Sequence, residues 1–248
     1  MPLKHTDIFY DPTAITDRGI NPYLAQVREI SLPHAPEKSA IMFGEQLRGM
    51  CGQWRQEFSA ESTQAARPLA VEIGCYKGST LIHFAKLNPT LNWIGIDITF
   101  KRVALSAKRV IEHALQNARV VMGRMSGKSL KEMFAQAEVD LVMVFFPDPW
   151  TKKSQRKNRM FTVEFAHELR SILKGGGRLW FKSDQLDYFE EVKEFCAVVG
   201  LVYCGETPSD LSGTDHATPF ETRFKQMGLP TYSGVWMRHD QKIGKELN

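Results

Sequence analysis

From residue 69 onward, short apolar runs alternate with stretches of helical spacing, and this alternation limits the fold more than any other feature of the chain. Residues 69–73 read as a strand ending at Gly74, and residues 79–87 begin a helix. A second strand at 93–96 ends at Asp97, after which Val103, Ala107, Val110 and Ala114 keep helical spacing. Third and fourth strands are read at 119–122 and 139–146. A helix follows through Phe161, Phe165, Leu169 and Ile172, stopped by Gly175, Gly176 and Gly177 in the manner of a glycine C-terminus. A fifth strand at 178–182, a helix carrying Leu186, Phe189, Val192, Cys196 and Val199, and strands near 201–204 and 234–238 complete the series. Such repetition with near-continuous apolar strands implies an α/β fold, a mostly parallel sheet with helices on both faces. Ligands of sheets of this kind bind beyond the carboxyl ends of the strands.

With 248 residues and 43% hydrophobic content, the chain can bury one substantial core. Residues 1–66 read as an N-terminal extension, 67–240 as the main domain and 241–248 as a tail. Pro12, Pro22, Pro33 and Pro36 break the extension. Met42, Leu47, Met50, Trp54 and Phe58 fall toward one side of a helix expected within 40–58, and residues 59–68 read as a linker. The extension is expected to pack on the core as an arm; the alternative is that its aromatics help to bind substrate. A net charge of +4 does not by itself imply a polyanionic partner. Cys51, Cys75, Cys196 and Cys204 lack C-x-x-C spacing and the histidines show no H-E-x-x-H pattern, so neither a metal nor a disulfide framework is expected. No apolar stretch is long enough to cross a bilayer, and the first residues lack the apolar segment of a signal peptide. The expectation is a soluble, reduced, cytoplasmic protein with no membrane partner, a monomer by default.

The first strand ends in VEIGCYKGS, which places Glu72 at the strand end and Gly74 and Gly78 in the turn. Glycine there allows a cofactor close to the backbone, and the helix start after Gly78 supplies free N–H groups. The second strand ends in WIGIDIT, where Asp97 is placed to accept both hydroxyls of a ribose. A dinucleotide site wants G-x-G-x-x-G, of which this loop has two glycines. A nucleoside cofactor without a pyrophosphate, such as S-adenosylmethionine, needs less of a phosphate cradle and gains from Glu72 near its cationic end. Two turn glycines and an acid capping a loop are also found as plain loop structure, so this motif leaves the readings open.

The stretch VFFPDPWTKKSQRKNR, residues 144–159, adds a carboxylate between two prolines, an aromatic, and five basic residues with no acid among them. Together with EIG at 72–74, the strand-end Asp97, FKSD at 181–184 and TPFETR at 218–223, its core FFPDPWTKK resembles the bacterial tRNA (guanine-N7)-methyltransferase family. The resemblance runs over residues 69–238. It implies a class I, Rossmann-like, S-adenosylmethionine-dependent methyltransferase fold with a seven-stranded sheet whose last strand is antiparallel. The implied reaction is methyl transfer from S-adenosylmethionine to N7 of a variable-loop guanine in tRNA. By position, Glu72 and Asp97 match cofactor-binding acids, with Gly74 and Gly78 in the same loop, and Asp148 matches the acid of the family signature, the expected catalytic residue. Lys152, Asp184, Thr218 and Glu221 match substrate-contacting positions, with Arg223 closing that motif.

Guanine N7 carries a lone pair and no proton, so its attack on a methyl group requires alignment rather than a strong base. The product base is cationic, and a carboxylate fixed by Pro147 and Pro149 suits the developing charge. Asp184 and Glu221 are suited to accept hydrogen bonds from guanine N1–H and its amine. Trp150 reads as a core residue, with stacking on a base as the alternative. Lys152, Lys153, Arg156, Lys157 and Arg159 are expected to track phosphates. Three features depart from the family pattern: Cys75, Tyr76 and Lys77 replace small residues, Pro219 stands where lysine is usual, and Arg124 occupies the cofactor-facing end of the third strand. Arginine has donors and no acceptor, so it does not reproduce a contact to the adenine amino group. An RNA-binding scaffold without catalysis, or a methyltransferase acting on another substrate, are the competing functions; a small-molecule substrate leaves the basic run without a purpose.

Overall fold

The computed structural model describes residues 31–32, 35–58, 67–125 and 130–239, with residues 31–38 described as backbone alone. Residues 59–66 of the linker read over 59–68, and the tail at 241–248, lie outside the described residues. The elements are β1 (Ser31–Leu32), β2 (Ala35–Ser39), β3 (Ile41–Met42), α1 (Trp54–Phe58), β4 (Leu69–Ile73), α2 (Ser79–Leu87) and β5 (Asn92–Asp97). There follow α3 (Phe100–Glu112), β6 (Ala118–Met122), α4 (Leu130–Met133), β7 (Val139–Phe145), α5 (Val163–Ile172) and β8 (Leu173–Ser183). The chain closes with α6 (Leu186–Val198), β9 (Leu201–Gly205), α7 (Pro219–Gln226) and β10 (Tyr232–Arg238).

One eight-stranded sheet in the order β3-β6-β5-β4-β7-β8-β10-β9 dominates the fold. Strands β3 to β8 pair in parallel, and β10 lies antiparallel between β8 and β9. The expected seven strands are therefore joined by an eighth, β3, which the extension lays beside β6 with Ile41 opposite Val120. Alternate residues of the central strands enter different cores. Val71, Ile94, Val142 and Phe181 face one cluster with α5 and α6, whereas Ala70, Trp93, Met143 and Trp180 face another with α2 and α3. Both faces are thus buried, which is why the strands read as continuous apolar runs rather than alternating ones.

The extension does not form the helix expected over 40–58. Gly44, Gly49 and Gly52 hold positive φ values of 56°, 85° and 78°, so the backbone turns three times and leaves a 3-10 turn at Gly44–Leu47 and the short α1. Its apolar residues are buried all the same: Trp54 is fully buried and donates its indole N–H to the Met133 carbonyl at 2.8 Å. Glu57 pairs at 2.9 Å with the buried Arg119 of β6, which ties residues 40–58 to the sheet.

The glycine run 175–177 does not end a helix either. The helix α5 stops at Ile172 and the chain passes directly into β8, where Leu173 pairs with Val139 and Arg178 with Leu141, so the glycines form a bulge inside the strand. Phe161 precedes α5, and Ala114 lies beyond α3 with φ 50°; both pack or turn outside the helices in which they were expected.

Candidate active site

Sheet order reverses between β4 and β7, since the chain builds outward from β4 through β5 and β6 on one side and through β7 and β8 on the other. A cavity of about 860 Å³ opens there, at the carboxyl ends of these strands. Glu72, Gly74, Asp97, Arg124, Asp148 and Thr218 all line it. Six residues drawn from five separate sequence segments thus converge. Gly78, Lys152, Asp184, Glu221 and Arg223 stand behind or outside this wall.

The loop after β4 is held by main-chain bonds to its neighbour. Gly74 N–H and Cys75 N–H both donate to the Ile96 carbonyl, at 2.8 and 2.9 Å, and Tyr76 N–H donates to Asp97 Oδ2 at 3.1 Å. Gly74, with φ 83°, has nothing within 4 Å of the space a Cβ would fill, so its face toward the cavity is open. Gly78 is the opposite case: at φ 73° a Cβ there would sit 2.9 Å from Ser106 Cβ, so glycine is what lets α2 and α3 approach. Tyr76 takes φ 51° and places its ring under the Arg102 guanidinium, 4.7 Å away, and 5.4 Å from the ring of Phe220. Cys75 and Tyr76 of this loop therefore form a wall of the cavity, which spacing alone did not reveal.

Glu72 is 4% exposed, and its Oε2 has no hydrogen-bond partner. Burial, reinforced by the charge of Asp97 and only partly opposed by the Leu81 N–H, pushes its carboxyl up to about 8. Asp97 is also raised by burial, against N–H donation from Thr99 at 2.8 Å and the attraction of Arg102. A buried carboxyl with an unpaired oxygen near a second acid, on a cavity that Gly74 leaves open, fits a cation-bearing nucleoside. Arg124 is exposed on the same cavity, where β6 gives way to Gly123, whose N–H donates to the Asp97 carbonyl at 3.1 Å.

At the other end, β7 runs into Phe146 with φ 51°, whose N–H donates to the Lys182 carbonyl at 2.8 Å. Asp148 follows, exposed. Trp150 is 37% exposed with φ 42° and lines the cavity, so it does not fill the core as expected. Its backbone is left-handed, and the preceding Pro149 carbonyl is held by Arg159 Nε at 2.8 Å. The basic run divides. Lys152, Lys153 and Lys157 are exposed, but Arg159 has a side chain 2% exposed and is consumed by Asp187 at 2.7 Å and Glu191 at 2.6 Å. Arg156 pairs with the same two acids at 2.8 and 3.5 Å. Arg159 is therefore a structural pin rather than a phosphate contact.

Thr218 caps α7 by accepting the Glu221 N–H at 3.0 Å, and Pro219 occupies the first helical turn, where a missing N–H costs nothing. Glu221 accepts from Lys182 Nζ at 2.9 Å and from Lys225 Nζ at 3.0 Å; burial raises its carboxyl, but the two lysines outweigh that and hold it below the usual range. The pairing of Lys182 with Glu221 was not foreseen in the sequence, where Lys182 reads as one more residue of β8. Asp184 is half-buried and accepts from Gln185 Nε2 at 2.6 Å, and Arg223 is exposed on α7. Among the described residues no three His, Cys, Asp or Glu side chains group closely enough to hold a metal ion, and no helix is long and apolar enough to cross a membrane.

A family described as "Putative methyltransferase" matches residues 66–233. The tRNA (guanine-N(7)-)-methyltransferase of Enterococcus faecalis is 30% identical over 185 residues, covering 73% of this chain and 83% of its own. That of Streptococcus mutans is 30% identical over 185 residues, 73% of this chain and 84% of its own. The chain belongs to this methyltransferase family. Among solved structures, a 16S rRNA (adenine(1408)-N(1))-methyltransferase from Catenulisporales acidiphilia aligns with TM-score 0.52 and 16% identity over 76% of this chain and 92% of its own. The cyclase SpnF aligns with TM-score 0.50 and 12% identity, over 75% and 80%. These two share the class I methyltransferase scaffold with this family member, and since one is a cyclase, the scaffold alone does not fix the chemistry. The family cofactor is S-adenosylmethionine, and the unpaired Glu72 oxygen, the open Gly74 and the cavity-lining Asp97 suit it.

Proposed function

We propose that this chain methylates N7 of a variable-loop guanine in tRNA, and that Asp148 is its catalytic residue. The observation that carries this is the placement of Asp148, exposed on the cavity whose other end holds Glu72 and Asp97, with the lysines 152, 153 and 157 exposed just beyond it. The substrate choice is supported by the named activity of the relatives.

S-adenosylmethionine supplies the activated methyl group. Asp97 accepts the ribose hydroxyls, and Glu72 faces the cationic end. Arg124 offers donors alone, which leaves the adenine amino group to main-chain acceptors at the end of β6. On the substrate side the protein's work is alignment, because guanine N7 has no proton to lose. The Asp148 carboxylate stabilises positive charge as it develops on the base. Asp184 accepts from the guanine N1–H edge. Glu221, with a lysine on each oxygen, acts by holding Thr218 and the start of α7 at the rim. Lys152, Lys153, Lys157 and Arg223 contact phosphates. The activity is that of a single cytoplasmic chain.

The test is transfer of labelled methyl from S-adenosylmethionine to unmodified bulk tRNA, followed by nucleoside analysis. 7-Methylguanosine is expected with the unaltered protein and is expected to be lost in Asp148→Ala with the fold retained. Full activity of Asp148→Ala would remove that residue from its role. The exposed Arg124 favours one second reading, an RNA-binding scaffold without catalysis; tRNA binding without transfer would establish it.

A further inference from the structure

We infer that the indole of Trp150 is the platform on which the target base stacks, an assignment that rests on the RNA-methylating reading of the site. Trp54, Trp93, Trp180 and Trp236 are each at most 1% exposed, whereas Trp150 is 37% exposed, two residues from Asp148 and on the same cavity. A large ring left in water forgoes favourable burial, so something must hold it there. Its φ of 42° also places a bulky residue in the left-handed region, a strained conformation that persists only where the surroundings over-determine it.

The surroundings are visible. Arg159 Nε donates to the Pro149 carbonyl at 2.8 Å, one residue before the indole. The same guanidinium is clamped by Asp187 and Glu191 of α6 and lies 4.5 Å over the Tyr188 ring. The buried arginine of the basic run thus fixes the loop that aims Trp150 into the cavity. Phe220, also half-exposed on the cavity, meets the Tyr76 ring and so belongs to the wall on the cofactor side.

Bases in RNA loops are recognised by stacking on aromatic rings once they leave their own stack. An indole adds something specific to this reaction. Methylation at N7 makes the purine cationic, and tryptophan is the best cation–π partner among side chains. The contact strengthens as charge develops, which favours the transition state over the bound substrate.

Because the other four tryptophans are buried, the difference in emission between the protein and Trp150→Phe isolates this one ring. With S-adenosylhomocysteine present, unmodified tRNA is expected to quench that component, while S-adenosylhomocysteine alone leaves it unchanged. Trp150→Ala is expected to lower kcat/KM for tRNA on the order of tenfold or more, through both kcat and KM, and Trp150→Phe to restore most of it. Affinity for S-adenosylhomocysteine stays the same in both variants. A retarded tRNA complex without quenching would overturn the platform, as would quenching by S-adenosylhomocysteine alone, which assigns the ring to the cofactor. Full methylation by Trp150→Ala would refute the platform and leave the tRNA reading standing. Failure of the unaltered protein to bind or methylate tRNA would sink the tRNA reading, and the platform with it.

Discussion

Replacing Glu72 by glutamine tests the electrostatics of the cofactor end directly. In the unfolded chain this carboxyl titrates near 4.5, and in the folded protein at about 8, because it is buried and faces Asp97. Between those values the native state holds a proton that the unfolded chain has released. Stability therefore falls as pH rises through the window and levels off above pH 8. At about 1.4 kcal/mol per pH unit the full cost approaches 5 kcal/mol, and little of it is felt at pH 5. Glutamine carries no charge in either state. With roughly 2–4 °C of Tm per kcal/mol for a chain of this size, Glu72→Gln should melt about 10 °C above the parent at pH 8.5 but only about 2 °C above it at pH 5. Thermal unfolding by circular dichroism at the two pH values measures this, and an equal gap at both would refute the reasoning. Binding supplies a second readout. A cationic ligand favours ionised Glu72, so S-adenosylmethionine should release close to one proton at pH 7 from the parent and none from the variant, as read by calorimetry in buffers of different ionisation heat.

Five further substitutions separate folding from function. Gly78→Ala forces a Cβ against Ser106 on top of its left-handed backbone and should cost about 2–4 kcal/mol in urea denaturation, whereas Gly74→Ala meets nothing nearby and should cost about 1–2 kcal/mol for its own left-handed backbone, φ 83°, while weakening S-adenosylmethionine binding measured by calorimetry. Lys182→Met and Glu221→Gln remove partners whose side chains are 7% and 10% exposed; a double-mutant cycle should return a coupling of about 1–3 kcal/mol, and each variant should raise KM for tRNA. Arg159→Met deletes a buried cation, but Asp187 and Glu191 are exposed enough to rehydrate, so its cost in guanidinium denaturation should be about 2–3 kcal/mol, below that of a fully buried pair.

The strands β4 to β7, part of β8 and the helices α2, α3, α5 and α6 were legible because burial on both faces leaves an apolar run and burial on one side leaves a 3.6 period, whereas the four-residue α4 was too short to show one. Glu72, Gly74, Asp97 and Asp148 were legible for a related reason: strand ends can be found from the same runs, and ligands of parallel sheets gather there. What was hidden is long-range or conformational. The pairing of Arg159 with Asp187 and Glu191 spans about thirty residues, so a basic run in sequence gave no sign that its last member faces inward. Trp150 was misplaced because composition favours burial of an indole, while a left-handed backbone held by a distant arginine decides otherwise. Residues 40–58 had apolar spacing compatible with a helix, but their glycines take left-handed conformations that spacing does not weigh.

The walls of the cavity differ in how they are held, and that difference bears on function. The loops after β4, β6 and β7 are pinned by main-chain bonds to neighbouring strands: Gly74 and Cys75 to Ile96, Gly123 to Asp97, Phe146 to Lys182. Their positions follow from the sheet register, so the cofactor end and Asp148 are preorganised before any ligand arrives. The segment leading into α7 is held to the rest by side chains: Asn88 bonds Ser212, His83 bonds Gly213, and Lys182 bonds Glu221. Side-chain contacts can be exchanged one at a time, whereas a strand register changes as a whole. A tRNA entering against a rigid cofactor end would therefore meet its adjustable wall at Thr218 and the start of α7. On this basis substitutions at Asn88 and Lys182 should act on KM for tRNA, and those at Asp97 on the affinity for S-adenosylmethionine.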